Sequence, residues 1–439
     1  MAMPTDPFST LTVDPRDNLA GERYRILRPH ARGGLGEVFV AQDSELSREV
    51  ALKRMQSHLS HDAASRDRFV REAEITGGLE HPGIVPVYGL GTQSDGRPYY
   101  AMRFIRGETL KDVIGQFHTA EAQCHDLSVR SVELRRLLTH LLEACRATEY
   151  AHSRGVVHRD LKPSNIMVGK YGETLVVDWG MAKVAGSDDF AARGGLSSEP
   201  LLRPRSGSTS EPTAMGKALG TPAYMSPEQA AGRIDLVGAR SDVYSLGATM
   251  YEILTGRAPV QGETVDELLR RAERGEFPKP REARSGVPGC LQSICLKAMA
   301  REPDDRYPSA GALAADLERW LADEPTEAHR ERWSERVDRF LRRHRAWAQA
   351  AVIGIIVVAI VSWIGLVAVN SQRQLVVQER AKEHQARNLA KRAVDRYEDA
   401  VERLEKLANR PELSVLRESG EYRELLDSLR ESKATILDE

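Results

Sequence analysis

The sequence predicts an α+β fold with two lobes, followed by one transmembrane helix and a short helical extracytoplasmic tail. Residues 24–102 contain short aliphatic and aromatic strands around a single helix, and residues 103–325 carry mainly helical patterns. Residues 350–369 are almost wholly apolar. The length of 439 residues fits two or three units, at roughly 100–200 residues per domain.

Composition and charge are those of a globular protein without a nucleic-acid partner. Hydrophobic residues make up 41% of the chain and charged residues 29%, and the formal net charge is −2. No global field therefore attracts nucleic acid. The four cysteines form no CxxC pair, so we expect reduced thiols rather than a zinc site or disulfides.

The first part of the chain is predicted to be a flexible tail and a small, strand-rich lobe. Residues 1–23 lack the basic start and apolar core of a signal peptide. In residues 24–102, strand-like runs such as EVALKRM and PYYAMRFI alternate with polar turns. The stretch RDRFVREAEITGGLE predicts one helix that ends at Gly77 and Gly78.

The large lobe, residues 103–325, is predicted to be mainly helical. Leu134, Leu137, Leu138 and Leu141 recur at helical spacing and define one apolar face. Residues 186–217 are rich in Gly, Ser and Pro and have no periodicity, which predicts a long loop.

The apolar run predicts a transmembrane helix over residues 348–369. About 20 apolar residues in a helix span a bilayer core of about 30 Å, and soluble helices rarely stay apolar on every face for that length. Arginines are denser in the juxtamembrane segment, residues 326–347, than after the span. The positive-inside bias then places the two lobes in the cytoplasm and the tail outside, with the span in the cell (inner) membrane.

The tail, residues 370–439, is predicted to be helical. Apolar residues recur there at alternating spacings of four and three, which is a short heptad seam. Its members are Ala390, Val394, Tyr397, Val401, Leu404 and Ala408. A helical hairpin and a dimer-forming coiled coil both fit this pattern, and the second alternative implies a homodimer.

The stretch VVHRDLKPSNIMV, residues 156–168, places charged and amide side chains between aliphatic flanks. Burial of such groups is costly unless they have partners, so a chemical task is indicated. Further along, VVDWG supplies Asp178.

These motifs form an ordered set. ARGGLGEV, VALK, HRDLKPSN, VVDWG, GTPAYMSPEQA and EPDDRYPSA follow one another within residues 24–325. The set resembles eukaryotic-like (Hanks-type) serine/threonine protein kinases, and its combination with one span is similar to bacterial receptor kinases. The resemblance implies a bilobal protein-kinase fold that uses ATP and Mg²⁺, with Mn²⁺ as an alternative ion, to phosphorylate Ser/Thr hydroxyls of proteins.

The resemblance also implies roles for the polar residues. Asp160 would accept the proton of the substrate hydroxyl, and Lys162 would reach the γ-phosphate. Asn165 and Asp178 would bind the metal ion. Lys162 and Thr221, which would contact Asp160, favour Ser/Thr over Tyr substrates.

On the nucleotide side, the family pattern GxGxxGxV matches Ala31, Gly33 and Gly36, with Ala31 in place of the first glycine. Lys53 would bind the α- and β-phosphates, with Glu72 as its partner and Glu74 as the rival. The resemblance assigns six residues to the adenine pocket, although the apolar ones fit an ordinary core equally well: Val38, Ala51, Met102, Arg103, Ile105 and Met167.

Several residues of the large lobe are expected to hold the site together. Glu228, where the family has the glutamate of APE, would pair with Arg306. Asp242 would brace the backbone of the catalytic loop, and a helix N-cap is a compatible alternative. Trp179 replaces the usual phenylalanine of DFG, and we expect it to fill the same apolar slot.

Arg159 lies beside the expected metal ligands, and its positive charge predicts a nearby anion as its partner. Autophosphorylation of the long loop would supply one. The candidate acceptors are Ser206, Ser208, Thr209, Ser210 and Thr213.

Two other functions compete with an active kinase. One is a pseudokinase or ATP-binding scaffold, and the other is a membrane adaptor gated by nucleotide binding without turnover. Pseudokinases usually lack one of three residues that are all present here, namely Lys53, Asp160 and Asp178. An active enzyme is therefore favoured.

Overall fold

The structure is a computed structural model that describes most of the chain. The described residues are 23–121, 127–184, 202, 221–330, 333, 336–337, 339, 345–410 and 420–438. They divide into two compact units, with the division between Arg336 and Val337.

The first unit begins with a five-stranded antiparallel sheet in the order β1-β2-β3-β5-β4. The strands are β1 (Tyr24–Arg32), β2 (Gly36–Asp43), β3 (Arg48–Met55), β4 (Val87–Thr92) and β5 (Pro98–Arg103). One helix, α1 (Ala63–Gly78), packs on this sheet. Asp62 caps the helix by accepting a hydrogen bond from the Ser65 amide at 3.1 Å.

Helices dominate the rest of the first unit. They are α2 (Leu110–Glu121), α3 (Leu127–Ser153), α4 (Pro227–Ala230), α5 (Ala239–Thr255), α6 (Val265–Arg274), α7 (Pro280–Ala283), α8 (Gly289–Ala298) and α9 (Ala310–Leu321). The core lies between α3, α5, α8 and α9. Residues 241–255 of α5 are buried on all sides, as expected of a helix at the centre of a helical lobe.

Short strands line the junction between the sheet and the helical core. The strands β6 (Gly107–Thr109), β8 (Ile166–Gly169) and β9 (Thr174–Val176) form one antiparallel sheet, and β7 (Val156–Val157) pairs with β10 (Lys183–Val184). Ile166 lies opposite Val176. The residues that precede β8 and follow β9 therefore emerge at the same end of this hairpin.

The predicted long loop lies outside the described residues except for Leu202. Leu202 is buried in the core of the helical lobe, and its amide donates to the Arg154 carbonyl at 3.1 Å. Its side chain occupies the space that a side chain at Gly78 would need. One point of the loop is thus packed against the end of α1.

Packing of the helical lobe extends past residue 325. The buried Asp316 carboxylate on α9 accepts hydrogen bonds from the amides of Glu327, at 2.6 Å, and Ala328, at 2.9 Å. The start of the predicted juxtamembrane segment is therefore fixed to the first unit.

The second unit contains α10 (Arg345–Ala408) and α11 (Gly420–Asp438). Within the described residues, α10 alone is long and apolar enough to cross a membrane, with a mean hydropathy of 2.9 over its most apolar window. The side chains of this window are not buried inside the protein. The predicted fold class is confirmed: a sheet-based lobe and a helical lobe, followed by one long apolar helix.

Part of the heptad seam packs within the same chain, whereas Ala390 is exposed. The Tyr397 hydroxyl on α10 donates to the Leu429 carbonyl on α11. Val394, Val401 and Leu404 are half-buried. Of the two alternatives for the tail, the structure contains the hairpin.

A buried ion pair joins distant parts of the helical lobe. The Arg306 Nη atoms each lie 2.8 Å from one oxygen of Glu228. The remaining guanidinium hydrogens are donated to the carbonyls of Ala300, Arg240 and Arg301. All five donors of the guanidinium group are therefore used.

We expect the substitution Arg306→Met to lower the free energy of unfolding by about 3–5 kcal/mol at neutral pH, because it leaves the Glu228 carboxylate buried without its counter-charge. Burial alone would raise the pKa of Glu228, but Arg306 and Ser241 hold it below the ordinary 4.5. The pair is thus fully stabilising above pH 4.5 and loses its effect as the pH falls through the lower folded-state pKa.

Urea unfolding of the detergent-solubilised chain at pH 7 and at about pH 4 measures this effect. The deficit of the variant relative to wild type should shrink at the acid pH. The control is Arg274→Met, which removes an exposed ion pair between Arg274 and Glu276, whose charged atoms lie 3.6 Å apart. The Arg274 side chain is 66% exposed, so this substitution should lower the free energy of unfolding by at most about 1 kcal/mol. If Arg306→Met lowered the free energy of unfolding no more than the control does, the stabilising role of the Arg306–Glu228 pair would be contradicted.

Candidate active site

Strand register places one row of side chains on a single face of the five-stranded sheet. Lys53 on β3 lies opposite Val38 on β2 and Tyr100 on β5. Ala51, two residues before Lys53, lies opposite Met102. Because directly opposed residues of antiparallel strands point to the same side, these side chains share the face that is turned toward α1.

Lys53 forms an ion pair with the helix α1. Its Nζ atom donates to Glu72 Oε1 and lies 3.6 Å from Asp178 Oδ1. Between Glu72 and its rival Glu74, the structure pairs Lys53 with Glu72. Burial opposes the charge, but the oxygen atoms of Tyr100, Glu72 and Asp178 raise the pKa of Lys53 well above its ordinary value. The lysine is a fixed, permanent cation.

Tyr100 is a member of this cluster that the motifs did not reveal. Its hydroxyl donates to Glu72 Oε1 at 2.7 Å, and only 3% of the residue is exposed. The one available signal was the strand alternation of PYYAMR, which puts Tyr100 and Met102 on the same face. That signal does not distinguish a hydrogen-bonding tyrosine from a packing one.

The glycine-rich segment forms the connection between β1 and β2. Ala31 lies near the end of β1, and the Gly33 amide donates to the Gly36 carbonyl at 2.8 Å, which closes the turn. A Cβ atom at Gly36 would lie 2.9 Å from the Arg54 carbonyl oxygen. Glycine is therefore needed at 36 for the close approach of the chain to β3, whereas a Cβ atom at Gly33 would make only an ordinary contact of 3.7 Å with the Gly36 carbonyl oxygen.

The six residues assigned to the adenine pocket differ in exposure. Ala51 is buried, and Val38, Met102, Ile105 and Met167 are half-buried. The Arg103 amide donates to the Pro86 carbonyl at 3.0 Å, so its hydrogen is not available to a ligand. The Arg103 side chain is exposed and lies 3.2 Å from Glu173.

The Asp160 carboxylate is held by Lys162 and Thr221. Its Oδ2 atom accepts from Lys162 Nζ at 2.6 Å, and its Oδ1 atom accepts from the Thr221 amide at 3.1 Å. Lys162 Nζ also donates to Thr221 Oγ1 at 2.7 Å. Asp160, Lys162 and Thr221 thus form one network, in which Thr221 comes from a segment far along the chain.

Asn165 and Asp178 flank the β8–β9 hairpin at the end where its strands emerge. The Asn165 amide nitrogen donates to the Asp160 carbonyl at 2.9 Å, which leaves its Oδ1 atom as the free ligand atom. The Asp178 side chain is half-exposed. Burial would raise the pKa of Asp178, but Lys53, His158 and Lys162 hold it below its ordinary value, so the carboxylate is ionised.

This donor set fits a hard divalent ion that also binds phosphate oxygens. One ionised carboxylate and one amide oxygen are ligands that Mg²⁺ accepts, and Mg²⁺ usually takes its remaining ligands from substrate phosphates and water. In the part of the chain that the structure describes, no group of three or more His, Cys, Asp or Glu side chains could hold a metal by itself.

The backbone beside Asp160 is braced from α5. The buried Asp242 carboxylate accepts from the amides of His158 and Arg159, both at 2.8 Å, and from His152 Nε2 at 2.8 Å. The N-cap of α5 is Gly238, so the N-cap alternative for Asp242 does not hold. Arg159 adopts φ +71°, a left-handed conformation that these contacts sustain.

The Arg159 guanidinium retains bonding capacity. Its Nε atom is buried and has no hydrogen-bond partner among the described residues. The predicted phosphate acceptors lie outside the described residues, namely Ser206, Ser208, Thr209, Ser210 and Thr213.

Trp179 fills an apolar slot beneath the site. It is 1% exposed, and its ring centroid lies 4.6 Å from that of His158. A Cβ atom at the next residue, Gly180, would lie 2.9 Å from Glu72 Oε2. Glycine at this position therefore lets the segment after Asp178 approach the ion pair.

Comparison with known proteins agrees with this geometry. A model of the protein kinase domain matches residues 24–316. The chain is 36% identical over 300 residues to the serine/threonine-protein kinase PknD of Protochlamydia amoebophila (strain UWE25), which covers 68% of this chain and 30% of that protein. It is 34% identical over 306 residues to the protein of the same name from Chlamydia pneumoniae, and this match covers 69% of this chain and 32% of that protein. The chain thus spans about a third of the length of these curated relatives.

Proposed function

The chain belongs to the protein kinase family, and on that premise we propose that it is a membrane-anchored serine/threonine kinase that transfers the γ-phosphoryl group of ATP to protein hydroxyls. The observation that carries this proposal is the joining of two clusters. Lys53, Glu72 and Asp178 form one, and Asp160 and Asn165 belong to the other. The Val177 amide donates to the Asn165 carbonyl at 2.9 Å and links them.

In the proposed reaction, the substrate oxygen forms a bond to the γ-phosphorus while the bond to the β-phosphate oxygen breaks and ADP leaves. Asp160 accepts the proton of the hydroxyl. Lys162, at 2.6 Å from Asp160 Oδ2, holds that carboxylate in place and offsets charge that develops on the transferred group.

Lys53 would bind the α- and β-phosphates, since Glu72 fixes its direction. Asn165 Oδ1 and the Asp178 carboxylate would hold Mg²⁺, or Mn²⁺ as the alternative. When bound, such an ion neutralises charge on the β- and γ-phosphate oxygens.

Serine and threonine are proposed as acceptors because of Thr221. Its hydroxyl accepts from Lys162 and its amide donates to Asp160, which places Thr221 directly beside the proposed base. A short side chain suits such a site better than tyrosine does.

The scaffold and adaptor alternatives need a site that binds nucleotide but cannot transfer phosphate. Lys53, Asp160 and Asp178 are present, and Asp160 has the partners that orient a general base. These contacts support the enzyme over both alternatives.

We expect Asp160→Ala to lower the transfer of labelled γ-phosphate to a protein substrate by about 10³-fold, because a positioned base contributes roughly 10²–10⁴. The matched control is Asp266→Ala, an exposed carboxylate on α6, which should retain full activity. Binding of Mg·ADP, measured by calorimetry, should persist in all three proteins. Wild type that binds Mg·ADP without transferring phosphate would instead establish the scaffold or adaptor function.

We further propose that autophosphorylation of the long loop regulates the enzyme. The buried Arg159 Nε atom without a partner among the described residues supports an anion at this position, since phosphoserine and phosphothreonine pair well with arginine. A homodimer would let one kinase phosphorylate the other. We propose such a homodimer, although part of the tail seam is packed within one chain.

Incubation with Mg·ATP should therefore place phosphate on one or more of Ser206, Ser208, Thr209, Ser210 and Thr213, as mapped by mass spectrometry. Their joint replacement by alanine should reduce activity about as much as Arg159→Gln does. In the dimer model, the initial rate per molecule should rise with protein concentration. Absence of phosphate between residues 187 and 217 would end the regulatory proposal, and a concentration-independent rate would end the dimer's part in it.

The membrane proposal rests on α10. Its apolar window is long enough to span a membrane. The arginine-rich flank supports an orientation in which α10 crosses the inner membrane, with the kinase lobes in the cytoplasm and the tail outside.

We expect the chain to resist carbonate extraction from membranes. In inverted inner-membrane vesicles, added protease should digest residues 24–325 and spare the tail. Replacing both Val358 and Ile360 by arginine should release part of the chain, since each arginine at a helix centre costs about 2.5–3.5 kcal/mol, whereas leucine at both positions should not. A tail digested in intact inverted vesicles would refute the orientation.

A further inference from the structure

The cluster around Glu72 contains a donor that the proposed chemistry does not use. We propose that Tyr100 is a positioning residue that holds Glu72 against Lys53 and so keeps α1 in the nucleotide-binding position. This inference rests on the proposed kinase function and concerns the control of the same site.

The register of the sheet fixes where the Tyr100 hydroxyl lies. Tyr100 is the direct cross-strand neighbour of Lys53, so both side chains reach Glu72 from one face of the sheet. The Tyr100 ring packs against Phe69 of α1, with centroids 5.4 Å apart. Because the ring is confined between strand and helix, its hydroxyl has little freedom to follow Glu72 if α1 moves.

Glu72 depends on few donors. Lys53 and Tyr100 both donate to its Oε1 atom, and Oε2 is buried without a hydrogen-bond partner in the described part of the chain. A buried carboxylate needs such partners. Without the Tyr100 hydroxyl, Glu72 would keep only Lys53 of these two donors.

The hydroxyl is a donor that does not titrate in the physiological range. Burial, and then the charge of Glu72, raise the pKa of Tyr100 well above 10. The group therefore stays protonated, and hydrogen bonds to an ionised acceptor are stronger than neutral ones.

The contact couples two elements of the site. Tyr100 lies on the strand that also carries Met102, and Glu72 lies on α1. When the Tyr100–Glu72 bond is intact, Lys53 is aimed at the position of the phosphates. When α1 moves away, Lys53 loses its partner, and apparent nucleotide affinity falls with the fraction of molecules in the binding position.

The test is Tyr100→Phe, which keeps the ring and its packing and removes only the hydroxyl. We expect kcat/KM for ATP to fall on the order of tenfold, as for loss of a hydrogen bond to a charged group, and Mg·ADP affinity to fall similarly. The matched control is Tyr99→Phe, the same change on the opposite face of β5, which should alter both quantities less than about twofold. An unchanged Tyr100→Phe enzyme would overturn the proposal.

A double-mutant cycle separates positioning from general stability. Mg·ADP affinity is measured for wild type, Tyr100→Phe, Glu72→Ala and the double variant. If Tyr100 acts through Glu72, its replacement has little further effect once Glu72 is absent. Equal effects in both backgrounds would mean that the hydroxyl serves only the fold, and would overturn the proposal.

The readout also distinguishes this inference from the proposed function. The cycle uses Mg·ADP binding, so it can be completed even if the wild-type chain transfers no phosphate. Unfolding midpoints of the four proteins show whether each is folded, and Glu72→Gln replaces Glu72→Ala if the alanine variant is not.

Discussion

Three buried carboxylates hold the active site in place, and each must find donors from a distant part of the chain. Glu72 is 2% exposed, Glu228 is 1% exposed and Asp242 is 0% exposed. An unpaired carboxylate in such surroundings would be costly, so the native contacts of each are strongly specified. Glu72 positions α1 against the sheet, and Asp242 shapes the backbone before Asp160. Glu228 ties the segment that follows Thr221 to the end of the helical lobe.

The sequence predicted the fold and the polar centre because its motifs place particular residue types at fixed spacings. Asp160, Lys162 and Asn165 lie within six residues, so their proximity needed no tertiary information. Tyr100 was missed because an aromatic residue on a strand looks like core, and its acceptor follows only from register and the packing of α1. Gly36 was matched to the nucleotide-side motif, but the close approach of its backbone to the Arg54 carbonyl follows only from the pairing of β2 with β3.

The second unit shows a different limit of pattern-based inference. A heptad seam indicates that a helix face is covered, but not whether the partner belongs to the same chain. Here α11 covers part of it. Likewise, α10 is continuous over 64 residues, or about 96 Å, because helix-forming residues persist after the apolar run ends. Composition rather than helix length marks the proposed span, since a bilayer core accommodates only about 30 Å.

The backbone at Arg159 and at Asp178 shows how the candidate active site depends on the helical core. Arg159 and Asp178 have φ of +71° and +64°, and such conformations cost about 1–3 kcal/mol at residues other than glycine. They persist only where surrounding contacts over-determine them. Asp242 supplies those contacts at Arg159, and at Asp178 the preceding residue is fixed by the Val177–Asn165 hydrogen bond. The stability of the core around α5 thus maintains the strained backbone beside Asp160, and the link to Asn165 steadies the strained backbone at Asp178.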